Sequence, residues 1–88
     1  MADKQFTPLY KIADQFISQA NKLTDTTDLA TLAASLRYAA ARFAAFEASM
    51  QTDDLRRDKA EALDAYLNEF REMLDVNLVQ YIEQQKKT

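Results

Sequence analysis

Apolar residues recur along this chain at helical spacing, in three segments. In the first, Leu9, Ile12, Ala13, Phe16, Ile17, Ala20 and Leu23 fall on one stripe. Steps of three and four residues put such positions on one side of a 3.6-residue helix. Thr7 and Pro8 open it, Thr as an N-cap and Pro at a position whose missing N–H has no helical partner anyway. The Thr24-Asp25-Thr26-Thr27 stretch then ends it, because these side chains bond nearby backbone and favour turns. One of the four is expected to cap the next helix.

The second segment is predicted from about Asp28 to Met50. Leu29, Leu32, Ala33, Leu36, Ala40, Phe43 and Met50 form its stripe, and further alanines cover the other faces. They favour the helix and allow neighbours to approach on more than one side. The third begins with Thr52 or Asp53 as cap. Its stripe is Leu63, Tyr66, Leu67, Phe70, Met73, Leu74 and Tyr81. Acidic Asp53 and Asp54 near its start and Lys86 and Lys87 near its end suit the helix dipole. Asp53–Arg57, Arg57–Glu61 and Arg71–Asp75 are i,i+4 pairs on its polar side. No segment alternates like a strand. The predicted class is all-α: one helical domain over residues 1–88, either an antiparallel three-helix bundle or a helical hairpin with a long third helix, dimerising.

The dimer follows from lengths. At 1.5 Å per residue the three helices are roughly 24, 35 and 48 Å long. The first covers the second only to about Ala41, leaving Phe43, Phe46, Met50, Leu55 and Leu63 uncovered. At the other end Leu78, Val79, Tyr81 and Ile82 overhang the first turn. Phe6 could cover one end, and a second subunit either. A third helix kinked back on its own chain is the alternative.

Polar residues interrupt the stripes at a few places. Glu47 lies in the second stripe, and Lys59 occupies the matching position in the third. Hairpin register brings Glu47 near Arg56 and Lys59, so a structural ion pair is expected among Glu47, Arg56 and Lys59. Asn77 interrupts the third stripe and is expected to face the Thr24–Thr27 turn. Tyr38 and Arg42 are four apart on the flank of the second helix, where Arg could stack on the ring or both could anchor a partner.

Composition narrows the chemistry. The 88 residues contain no Gly, no Cys, no His and a single Pro. Thiolate metal sites, disulfides, His-based acid–base catalysis and glycine-rich phosphate loops therefore have no residues to build them. A di-iron bundle would need Glu-x-x-His. The charge is −3, and the one basic cluster, Arg56-Arg57-Asp58-Lys59, is neutralised by neighbouring acids, so no nucleic-acid footprint is expected. No apolar run resembles a signal peptide or a membrane span. The expectation is a non-enzymatic cytoplasmic protein with no cofactor and no metal, which binds neither nucleic acid nor membrane. Its candidate interface is Tyr38, Arg42, Phe43, Phe46, Met50, Tyr81 and Ile82. The main alternative is a carrier of a small apolar ligand between the second and third helices, with Glu47 or Tyr66 as its polar handle. A third reading is an acidic mimic of nucleic acid on the Asp/Glu face of the last helix.

Several stretches also resemble a known family. They are Tyr38-Ala39-Ala40-Ala41-Arg42-Phe43 with Ala45-Phe46, Asp58-Lys59-Ala60-Glu61-Ala62-Leu63, and Phe70-Arg71-Glu72-Met73-Leu74 with Asn77-Leu78 and Tyr81-Ile82. Ile12-Ala13-Asp14-Gln15-Phe16-Ile17 and Ala20-Asn21 fit as well. Their order resembles a bacterial family of small all-helical proteins of unknown function, from Phe6 to Ile82. Departures concentrate in the Thr24–Asp28 turn and at Ala44. The resemblance implies a compact, cytoplasmic, bacterial helical protein and carries no functional residue with it.

Overall fold

The computed structural model describes residues 7–87. Three helices account for nearly all of them: α1 (Thr7–Lys22), α2 (Leu29–Gln51) and α3 (Leu55–Lys87). The described residues contain no strand. The chain divides into two compact units, Met1–Arg42 and Phe43–Thr88, with the division inside α2. Phe6, a candidate cover for one end, and the capping side chain of Thr7 lie outside what is described.

The first unit holds α1, its connection and most of α2. α1 is strongly amphipathic, as its stripe predicts, yet Phe16 is 62% exposed. Half-buried Ala20, Leu32 and Ala33 mark where this unit closes. Its connection satisfies its own polar groups. The backbone N–H groups of Leu23, Thr24 and Thr26 donate to Ala20, Asn21 and Leu23 carbonyls. The Thr24 and Thr26 hydroxyls donate to the Asn21 and Leu23 carbonyls. The cap of α2 is Asp28 rather than one of residues 24–27. Its carboxylate accepts the Thr31 N–H at 3.0 Å, which holds its pKa below the ordinary value. The Asn77 side chain, which interrupts the stripe of α3, donates to the Met73 carbonyl of its own helix at 2.7 Å.

The second unit holds the end of α2, from Phe43, and α3. Ala48 is the one buried residue among those described, 8% exposed. Asp54 caps α3, where Thr52 or Asp53 was expected: its carboxylate accepts the Arg57 N–H at 3.2 Å and its carbonyl the Asp58 N–H. The Thr52 hydroxyl accepts the Asp54 N–H. The connection between α2 and α3 therefore ends one or two residues later than the sequence suggested, because Thr52 serves the turn and leaves the helix start to Asp54.

Candidate interaction site

Two polar constellations organise the second unit. The first is a knot at the α2–α3 connection. The Arg57 guanidinium donates to both Asp58 carboxylate oxygens at 2.9 Å, and to Thr52 and Asp53. The Thr52 hydroxyl donates to Asp58 at 2.5 Å. Held first by Arg57 and then by Thr52, the Asp58 carboxyl falls to about 2. The expected Asp53–Arg57 pair forms, at 3.4 Å. Among the described residues the other ion pairs are Arg57–Asp58 and Lys86–Glu83; Arg57–Glu61 and Arg71–Asp75 form none.

The second constellation joins the two helices. The Tyr66 hydroxyl donates to Glu47 Oε1 at 2.8 Å, across 19 residues of sequence. That bond, with desolvation behind it, raises the Tyr66 pKa above its ordinary value, since losing the proton would lose the bond and set two negative charges together. No ion pair joins Glu47 to Arg56 or Lys59 among the described residues. The reason is side-chain direction. Side chains lean toward the N-terminus of their own helix. Glu47 therefore leans away from the connection and Tyr66 leans back toward it, so they meet, while Lys59 leans away from Glu47. Counting register by backbone position misses this. The sequence did bring the two residues together in another role, as alternative polar handles between the second and third helices.

Apolar residues flank the two bonded side chains on their own helices. Phe43, Glu47 and Met50 form one stripe on α2, and Lys59, Leu63, Tyr66 and Phe70 form one on α3. Both stripes are open: Phe43 is 70% and Met50 71% exposed on α2, and Leu63 is 51% and Phe70 46% exposed on α3. Phe46 packs against Phe43, ring centroids 5.7 Å apart. Between the helices runs an open groove of about 400 Å³, floored by Ala48, Ala62 and Ala65 and bordered by Glu47, Asp58, Glu61 and Glu69.

The remaining candidates scatter. In the first unit, Tyr38 borders a shallow hollow on α2 with Ala30, Thr31, Ala34 and Ser35. No contact between the Tyr38 ring and the Arg42 guanidinium is present among the described residues; the one ring contact is Phe43–Phe46. Tyr81 and Ile82 are exposed near the end of α3. No group of three or more acidic side chains is placed to hold a metal ion among the described residues, and no described helix is long and apolar enough to cross a membrane.

A family model described as "Protein of unknown function (DUF3144)" matches residues 9–82. The chain belongs to this family. No curated protein and no solved structure matches it. The DUF3144 match runs from the first turn of α1 into the last turns of α3, so it takes in the connection knot, the Glu47–Tyr66 bond and both apolar stripes.

Proposed function

We propose that this DUF3144 protein is a non-enzymatic interaction module of the bacterial cytoplasm, working as one helical domain. Its helices run antiparallel across their short connections, and it docks a protein partner through exposed apolar residues of the α2–α3 hairpin. The observation that carries this reading is the exposure of Phe43 and Met50 on α2 and of Leu63, Leu67 and Phe70 on α3, with Ala48 the one buried residue among those described. Contiguous apolar surface of this kind on a small protein marks an interface. Tyr38, Arg42, Tyr81 and Ile82 extend the candidate surface. The bacterial and cytoplasmic assignment rests on the family resemblance in the sequence.

The chain contains no Cys, so one cysteine-attached photo-crosslinker can be placed at will. A crosslinker at Met50→Cys is expected to give protein adducts in cells, and one at Glu72→Cys, on the polar side, few. Equal labelling at both positions would sink the reading. A carrier of small apolar ligands has less support. The groove between the helices is open and bordered by four carboxylates, and its two polar handles, Glu47 and Tyr66, are bonded to each other.

A further inference from the structure

Resting on the reading of this chain as an interaction module, we infer that α3 pairs with α3 of a second copy as a parallel, two-stranded coiled coil. Three observations, all on this one continuous helix, carry it. The first is period. Leu63, Leu67, Phe70, Leu74, Asn77 and Tyr81 follow one another at steps of four, three, four, three and four, and Ala60 precedes them by three. That is a heptad repeat, with these residues at its a and d positions, and its 3.5-residue period keeps them on one seam of a supercoil.

The second observation is that the seam is open. Its apolar members from Leu63 to Tyr81 are 44–63% exposed. The residues of α3 that are half-buried are Asp58, Ala62 and Tyr66, four apart. The Tyr66–Glu47 bond shows that this is the face turned to α2. At 3.6 residues per turn the heptad seam lies roughly a quarter-turn away from it, so α2 leaves the seam uncovered.

The third is charge, and it names the occupant. The chain carries −3 overall, yet Asp64 is the one acid of α3 at a position beside the seam; Glu61, Glu69, Glu72, Asp75 and Glu83 fall on the remaining positions. In a parallel pair a residue at g meets the e residue five places on in the other copy. Lys59 then meets Asp64, twice over by symmetry, and neither has an ion pair of its own among the described residues. The next two such pairs, Tyr66–Arg71 and Met73–Leu78, set no like charges together. Asn77 fixes the direction. A polar side chain in a seam needs a polar partner. Parallel and in register, the Asn77 amides of the two copies face each other, each with a carbonyl oxygen and a second N–H beyond the one given to Met73. An antiparallel pairing over the whole seam would set Asn77 against Ala60.

The test is molar mass by light scattering, on the full chain over a tenfold range of concentration. The wild type is expected at twice the 10.1 kDa chain mass, and Leu67→Lys at the mass of one chain. Lys59→Asp should raise the dissociation constant about tenfold, since two rim pairs are lost together, and Lys59→Asp with Asp64→Lys should restore it. Both sites are on the surface, and circular dichroism checks that these variants stay helical. The chain lacks Cys, so Leu63→Cys puts a lone thiol in the seam. Mild oxidation should link two such chains, whereas Glu72→Cys, on the opposite side of α3, should stay single. A double mass unchanged by Leu67→Lys would overturn the seam. Linking of Leu63→Cys only to Leu74→Cys, or a charge exchange without recovery, would overturn the parallel arrangement. A wild type of single mass throughout would overturn the second copy; cellular adducts at Met50→Cys are a separate readout and would leave the interaction reading standing.

Discussion

The α2–α3 connection and the helical stretches it joins meet opposite fates. At the connection every strong polar group finds a partner within a few residues: Thr52 with Asp54 and Asp58, Arg57 with Asp53 and Asp58, and the Asp54 carboxylate with the first turn of α3. Along the helices, Phe43, Met50, Leu63 and Leu67 stay open. Polar groups need directional partners at close range, which a short connection can supply. Apolar groups need area, which two helices side by side cannot supply on their outer flanks. The chain thus satisfies its hydrogen bonds locally and leaves part of its hydrophobic requirement to association.

Mutations can separate these two halves. The largest intrachain effect is expected at Ala48, the one buried residue among those described. Ala48→Leu overfills the contact and should lower stability by about 1–3 kcal/mol, read from the shift of a urea midpoint. No shift would mean that the helices do not close on Ala48. Removing the cap by Asp54→Ala should cost about 1 kcal/mol in the same assay, and Asp28→Ala should shift the midpoint in the same direction by freeing the start of α2. Tyr66→Phe removes the bond to Glu47 and should lower the midpoint in the same assay. It should also remove the raised Tyr66 titration, followed by ultraviolet absorbance.

The connection should show itself in acid. The Asp58 carboxyl lies at about 2, below its ordinary 3.8. The folded state therefore binds this proton less readily than the unfolded state, and stability rises with pH where the two differ. The contribution is whole above about pH 4 and is lost as pH falls toward 2. Asp58→Asn should flatten that part of the stability curve. An unchanged curve would mean that Arg57 and Thr52 do not hold the carboxylate in solution. The smallest effect belongs to the exposed Arg57–Asp53 pair, where Asp53→Ala should change stability by no more than a few tenths of a kcal/mol.

The helices were legible because their evidence is periodic and redundant. Leu9 to Leu23, or Leu29 to Met50, repeat one spacing many times, so no single residue decides. The caps were less legible because several Thr and Asp residues compete at each connection, and only backbone geometry selects Asp28 and Asp54 among them. The same holds for Glu47. Its interruption of the stripe was visible, but its partner depended on the lean of side chains along two facing helices, which favours Tyr66 over Lys59. The division inside α2 at Arg42–Phe43 has no sequence signature, since the alanine-rich stretch around it is helical throughout.

The central claim is that the apolar residues left open along the helices are completed by association, and for association of the chain with itself mass action is the most direct test. The measurement is the urea midpoint of unfolding at protein concentrations spanning about a hundredfold. A second copy that binds only the folded chain must raise the midpoint as concentration rises. The account predicts that rise for the wild type, and its loss in the Leu67→Lys variant. A wild-type midpoint that does not move with concentration would contradict it.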